Sequence, residues 1–381
     1  MLRPPLAGPR LIVLALLVVL PLLPPETRGE SLAGCSLLVA LLAALTWNAR
    51  GDQVEGQRWV VAAAALALPA ARAAIVPAAA VEPLAVAGLA AACGIAAFGS
   101  RGDERLARQA VMTVAAVAGV VSLHAIYQRL WGLERLARIV AEDPAFPDRQ
   151  AALARIGAGR VFAAFATPAA LGGFLALALP GTVGLALAAR GRTRAAWAAL
   201  AGLLLVAFTL AASATAAAAL LAALLAGALA WGRARRPLLA GAAVLAVILV
   251  AVVAMRGERL LRTDSDSPWR LRAGNAHSAW SMAADHPWTG VGPGGFSEAY
   301  PAYRRSGDNE VRHAHNLPLE LAAELGWPAG TLACGLFFWL LLRPLRAGRS
   351  PGAPWRAAAA LGVAAFALQN LADFTSAMPS L

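Results

Sequence analysis

The sequence predicts an all-α polytopic membrane protein, and three observations carry that expectation. Of 381 residues, 59% are hydrophobic and only 14% are charged, against about a quarter charged in a soluble chain. Mean hydropathy is +0.63. Apolar runs recur along the chain, and a bilayer-crossing helix needs about 20 such residues. A soluble chain of this length would split into roughly two or three domains, whereas this composition points to one integral membrane domain over 1–381 and excludes most soluble enzyme classes. All 33 basic residues are arginine, and the formal net charge is +12. A nucleic-acid surface would gather arginines on one soluble face. Here they are scattered between apolar runs, so no nucleic-acid partner is expected.

Taken in order, the apolar runs place spans at roughly 9–24, 31–47, 59–77, 81–98, 108–127, 161–186, 195–210, 212–230, 237–255, 317–342 and 356–372, eleven in all. The first run is short and ends in Pro24 and Pro25. No A-x-A-like cleavage site follows it, so it reads as a span and not as a signal peptide. The alanine-rich runs within 59–98 and 195–230 merge across short turns. Cys35, Cys93 and Cys334 each fall inside an apolar run and read as small buried residues.

Charge sets the orientation. One alternating set of loops and span ends holds 17 arginines against 4 acids, and the other holds 16 against 17. Short positive loops mark the cytoplasmic side. The N-terminus is therefore predicted to be cytoplasmic, with segments 128–160 and 256–316 extracytoplasmic. The first of these is amphipathic, broken by Pro144 and Pro147, and suited to the membrane surface. The second is a long loop of the kind that is often functional. It holds His277, His286, His313 and His315, while His124 reads as a packed or hydrogen-bonded residue near the outer end of the fifth span.

Within the long loop, Asp285 to Phe296 carries glycines at 290, 292, 294 and 295. The string formally contains G-x-G-x-x-G, but no βαβ strand precedes it and no Lys-Ser/Thr follows. Two readings stand: a tight turn packed closely against a neighbour, or backbone N–H groups, at Gly292 and Gly294 among others, lining a substrate groove. The second cluster runs from Arg312 to Gly326. Asn316 suits a helix N-cap and Pro318 the first turn. Glu320 and Glu324 share one face of that helix, either facing a polar cavity or paired with loop arginines. A metal role for His313 and His315 lacks a third ligand at suitable spacing. A general base is more economical, since neutral histidine can take a hydroxyl proton near neutral pH. Arginines beside such a base can hold phosphoryl oxygens bidentately.

These residues resemble the O-antigen ligase and O-antigen polymerase superfamily of membrane glycosyltransferases. The resemblance rests on Asp285 to Phe296, on Tyr300 to Arg304, and on His313 to Gly326, with Gly330 following. Upstream, Gly159 to Leu177 is similar to a further segment of the family, as is Leu371 to Pro379 downstream. The family implies transfer of a glycan from undecaprenyl pyrophosphate to lipid A–core or to a growing chain, on the periplasmic face of the bacterial inner membrane. It implies His315 as base with His313 as its neighbour or substitute, and Arg272, Arg312 and Arg304 holding pyrophosphate. Arg160, Asn316, Glu320, Glu324, Gly292 and Gly294 join them as candidate substrate-binding residues. No metal or cofactor is expected, because the pyrophosphate donor is already activated. The partners are the lipid-linked donor, the glycan acceptor and membrane lipid.

Three departures from the family stand out. Its middle-span arginine is replaced within Thr209 to Thr215 by Ala214, where Arg160 is a candidate substitute. Ala276 stands where the family has tryptophan. The family's twelfth span would ordinarily begin where this sequence stops at Leu381. Besides a ligase or polymerase, the sequence leaves open a non-catalytic relative that binds lipid-linked glycan or an assembly partner, and a lipid-linked oligosaccharide transporter.

Overall fold

The computed structural model describes residues 104–146, 149–165, 167–261, 268–308, 310–342, 345 and 354–373. The spans expected at 9–24, 31–47, 59–77 and 81–98 lie outside the described residues, as do Cys35 and Cys93. All regular structure among the described residues is helical. In chain order it comprises α1 (Glu104–Tyr127), a π-turn (Gln128–Gly132), α2 (Leu133–Glu142), α3 (Arg149–Gly157), α4 (Pro168–Ala188), α5 (Gly191–Ala211), α6 (Ala214–Ala230), α7 (Arg235–Leu261), α8 (Pro268–Asp285), α9 (Phe296–Tyr303), α10 (Leu317–Leu342) and α11 (Pro354–Gln369). Among the described residues, five stretches are long and apolar enough to cross a membrane: Ala107–Glu142, Pro168–Ala188, Gly191–Ala211, Arg235–Ala254 and Leu317–Trp339. The architecture is thus all-α and polytopic in character.

The chain forms two compact units. A bundle unit spans Val114–Pro268 and Leu336–Thr375, and a motif unit contains Trp269–Gly335. In the bundle unit α4 packs against α11, α5 and α6, and α6 packs against α7 and α11. α4 is apolar on every side and buried along most of its length, as suits a helix surrounded by other helices. Glycines and alanines let these axes come close: a Cβ on Gly184 would lie 2.6 Å from the Trp355 Cα, and one on Gly227 would lie 2.7 Å from a Leu361 methyl. Small residues serve this purpose in membrane bundles. Pro180 interrupts the hydrogen-bond ladder inside α4, and nearby the Thr182 hydroxyl donates to the Ala178 carbonyl at 2.9 Å.

Two expected spans differ from their predicted form. The run read as a span over 161–186 becomes helical only at Pro168, capped by Thr167, whose hydroxyl accepts the Ala170 N–H at 3.1 Å. Before it the chain is non-helical, turning at Ala163 (φ +50°), and several of its amides are satisfied from outside. Gln128 is 7% exposed, and its Oε1 accepts both the Phe162 and Ala163 N–H groups at 2.8 Å. Val161 donates to the Leu210 carbonyl at 3.3 Å. Non-helical backbone among apolar helices persists only where such partners are supplied.

The second difference is in α10. The sequence reads 317–342 as one span, but Gly326 has φ +77° and ψ 167°, splitting the helix into two legs. Leu321 and Ala322 of the first leg return against Gly330 of the second, where a Cβ would lie 2.6 Å from the Leu321 carbonyl oxygen. A straight helix would hold residues nine apart at about 13 Å. His124 is exposed, and Cys334 is half-exposed where the apolar pattern suggests a buried place.

Candidate functional site

The motif unit is held by a small core of Ala279, Met282, Phe296, Tyr300, Ala314 and Ala323. Two bonds tie α8 to α9: the Tyr300 hydroxyl donates to Asn275 Oδ1 at 3.0 Å, and Ser278 Oγ to the Tyr303 carbonyl at 3.0 Å. Burial raises the Tyr300 phenol pKa, the Asp308 carboxylate raises it further, and Arg304 opposes both. Tyr300 therefore acts as a neutral donor in the core.

The glycine-rich segment folds as a clamp. Gly290, Gly292 and Gly294 all have positive φ, at +66°, +102° and +72°. That is a conformation glycine adopts without steric cost. Gly290 and Gly326 face each other's segments. A Cβ on Gly290 would fall 2.2 Å from the Glu324 carbonyl carbon, and one on Gly326 would fall 2.5 Å from that of Trp288. The backbones bond across this contact, Val291 to the Ala323 carbonyl at 2.8 Å, Gly292 to the Glu324 carbonyl at 3.0 Å and Trp327 to the Pro287 carbonyl at 2.8 Å.

From Gly290 to Phe296 every amide hydrogen of the clamp is engaged. Gly290 donates to the His286 carbonyl and Gly295 to the Gly292 carbonyl, both at 2.9 Å. Phe296 donates to Glu324 Oε1 at 3.4 Å, and the Gly294 amide bonds the same carboxyl group. Pro293 has no N–H. The segment forms a close-packed turn. The N–H groups of Gly292 and Gly294 are directed into the chain itself.

The His313 side of α10 holds the polar pair. Asn316 Oδ1 accepts the Leu319 N–H at 3.0 Å, the cap the sequence predicts. One turn on, Glu320 is 7% exposed. It accepts the Ala314 N–H at 3.0 Å through Oε2 and meets His313 Nδ1 at 2.7 Å through Oε1. A nearly buried carboxylate held by a backbone amide fixes the imidazole in orientation, as charge-assisted bonds of this length do. The His313 side chain remains 33% exposed, so the ring is both anchored and accessible. His315, the base the resemblance implies, is half-buried and carries φ +56°. A left-handed histidine between the pair and the Asn316 cap turns the chain into α10.

The arginines divide. Arg272 is half-buried and Arg312 exposed. Arg304 bonds Glu310 at 3.3 Å, at a position where both side chains are exposed. Arg160 belongs to the bundle unit, where its Nε donates to the Ala211 carbonyl at 3.1 Å. That carbonyl ends α5, beside Ala212 in the left-handed region at φ +46° and Ser213, which caps α6. The structure thus brings Arg160 to the helix break that contains Ala214.

Sequence reasoning paired Glu320 and Glu324 with a cavity or with arginines. It missed Glu320 as the partner of His313 and Glu324 as the post of the glycine clamp. The available signal was the Asn316 cap, which turns Glu320 back toward the residues just before the helix. Gln128 was missed too, although an amide inside an apolar run always needs partners. Among the described residues, no three His, Cys, Asp or Glu side chains are gathered as metal ligands.

An all-α membrane chain with an anchored histidine–carboxylate pair beside a glycine clamp defines the class. Residues 198–334 match a family model described as O-antigen ligase. The match covers over a third of the chain, including both motif clusters, and is consistent with an O-antigen ligase- or polymerase-type enzyme. No curated protein matches the chain.

Proposed function

We propose that the protein transfers a glycan from undecaprenyl pyrophosphate to a hydroxyl acceptor, lipid A–core or a growing polysaccharide, at the periplasmic face of the inner membrane. The observation that carries this reading is the 2.7 Å bond between His313 and Glu320. With the Nδ1 hydrogen given to Glu320, Nε2 is the basic nitrogen of His313. It takes the acceptor hydroxyl proton as that oxygen bonds the anomeric carbon, and the carbon–oxygen bond to pyrophosphate breaks. Glu320 stabilises the imidazolium so formed. Undecaprenyl pyrophosphate leaves with its negative charge held by guanidinium groups, for which Arg272 and Arg312 are the candidates. Arg304 is a weaker candidate, since Glu310 already holds it. No cofactor enters this scheme, because the leaving group is an activated phosphate. The N-terminus is cytoplasmic, following the arginine asymmetry.

A second reading, a non-catalytic relative that binds lipid-linked glycan, draws on Ala214. Its counterweight is Arg160, seated at the same helix break. The test is replacement of His313 and of His315 by alanine in the native organism, scored by surface polysaccharide on a gel with protein level checked in the membrane fraction. Loss of banding in His313→Ala with the protein present supports the pair as the base. Loss in His315→Ala alone moves the role to His315, and unchanged banding in both favours the non-catalytic reading. Accumulated lipid-linked repeat units would mark a lost polymerase, and long chains stranded on lipid would mark a lost ligase.

A further inference from the structure

The motif unit carries three indoles that its core does not use. Trp288 is 79% exposed and Trp280 is 55% exposed. The Trp280 ring meets that of Trp327 edge-on, with centroids 5.0 Å apart. Trp288 lies in the clamp, its backbone against Gly326, and Trp327 bonds the Pro287 carbonyl at 2.8 Å. The three side chains therefore spring from one place, the break in α10.

That place is where an apolar helix begins. From Trp327 to Leu342 the second leg has 16 residues, about 24 Å of helix, which falls short of a hydrocarbon core of about 30 Å. Its first turns expose Pro328, Ala329 and Leu332, the last to 74%. Exposed Trp280 and Trp288 thus stand at the same break from which the apolar leg, with exposed Leu332, departs. Indoles, apolar across the ring and polar at the N–H, gather at the boundary between headgroups and acyl chains.

We infer that Trp280, Trp288 and Trp327 form the surface by which the motif unit rests on the membrane, at the headgroup–acyl boundary where the second leg of α10 enters the bilayer. The consequence is one of depth. Leu321 and Ala322 lie beside Gly330, so the leg that carries Glu320 runs alongside the start of the apolar leg. The His313–Glu320 pair then stands at the level of lipid headgroups, where a lipid-borne phosphate would present its leaving bond.

The test uses the full chain in vesicles of phosphatidylethanolamine and phosphatidylglycerol. With Cys35, Cys93 and Cys334 replaced by serine, single cysteines at 280 and 288 carry a nitroxide. Glu298, exposed on α9, and Leu332 serve as reference positions. The expected result is oxygen accessibility at 280 and 288 between those of the two references, with accessibility to a water-soluble nickel relaxant several-fold below that at 298. Nickel accessibility equal to that at 298 would overturn the inference, and protection appearing only when soluble glycan is added would assign the indoles to sugar stacking instead. A second measurement keeps the native cysteines. Lipids brominated near the headgroup should quench less of the total fluorescence in Trp280→Phe and Trp288→Phe than in the parent. Equal quenching in parent and variants sinks the idea. Neither measurement reads activity, so the outcome is separate from that of the histidine substitutions.

Discussion

The two units use glycine in opposite ways. In the bundle, Gly172, Gly173, Gly184, Gly227 and Gly362 sit on ordinary helical backbone and serve by being small, letting α4, α6 and α11 approach one another. In the motif unit, Gly290 and Gly326 are both close-packed and left-handed, so they are required for their size and for their conformation. At Gly172, Gly173 and Gly227 the bundle is joined by side-chain contact, which can yield by small shifts, whereas a Cβ on Gly184 or Gly362 would meet the Trp355 or Leu177 backbone, at 2.6 and 2.1 Å. The clamp is joined backbone to backbone, with amide bonds on either side of each contact. At its side-chain contacts the bundle should therefore tolerate changes that the clamp does not.

The largest expected effect is that of Gly290→Ala. The new Cβ would meet Glu324 backbone at 2.2 Å in a conformation alanine resists, and neither partner is a side-chain end that can turn aside. A cost above about 4 kcal/mol is expected, seen as protein missing from the membrane fraction or nicked by protease within 286–296. Gly227→Ala is the matched case in the bundle, because its Cβ would meet side chains alone, a Leu361 methyl at 2.7 Å and a Leu238 methyl at 3.3 Å. About 1–2 kcal/mol should suffice there, read as a modest fall in thermal-aggregation midpoint in detergent. Equal damage from the two would break the comparison.

The same contrast explains what the sequence revealed. Helices in the bundle were legible as apolar runs because packing there depends on composition alone. Their ends were less so: the start of α4 is set by Thr167, Pro168 and the remote amide of Gln128, and no periodicity reports a bond between residues 34 apart. The break at Gly326 was hidden because Leu, Ala and Trp continue across it, and only its partner at Trp288 shows why glycine is needed. In the site, the residue types and the Asn316 cap were legible. The pairing of His313 with Glu320 was not, since it depends on the left-handed turn at His315 that folds the segment back over the first turn of α10.

Next in size, and sharper in what it separates, is Glu320→Gln. The amide oxygen can still accept the Ala314 N–H, so the clamp and core should survive and protein level should stay near the parent's. A neutral amide cannot stabilise an imidazolium as a carboxylate does. If the proposed chemistry holds, transfer should fall by about 10²-fold or more. Turnover with purified lipid-linked donor, together with membrane abundance, checks both halves. An unchanged rate would mean that the 2.7 Å bond only holds the loop.

Gln128→Ala asks whether the bundle, too, has a place that depends on specific bonds. The variant strips acceptors from the Phe162 and Ala163 N–H groups, the second of them buried. Leaving such donors unsatisfied costs about 1–3 kcal/mol each. The expected loss of about 2–4 kcal/mol should appear in the thermal midpoint and exceed that of Gly227→Ala. Since the non-helical segment positions Arg160 against Ala211, protease sensitivity around it should rise as well. Stability equal to that of the parent would show that water or a rearranged side chain replaces the amide, and the bundle would then be more plastic than its hydrogen bonds imply.

The smallest effect expected is at Gly173. A Cβ there would stand 2.7 Å from Gln369 Oε1 and 3.0 Å from its Nε2. Gln369 is buried, its Nε2 donates to the Ala169 carbonyl at 2.9 Å, and its Oε1 has no hydrogen-bond partner. Gly173→Ala can therefore be accommodated by turning the amide away, at the cost of one neutral hydrogen bond, about 1 kcal/mol. Gln369→Ala loses the same bond but opens space for the new methyl group. Adding Gly173→Ala to that background should then cost almost nothing, giving a coupling close to the whole single-variant effect. If the glycine substitution is equally costly with and without Gln369, the methyl group meets the helix backbone itself. Gly173 would then belong with Gly290, and the division between the two units would lie in where the backbones touch and not in which unit holds the glycine.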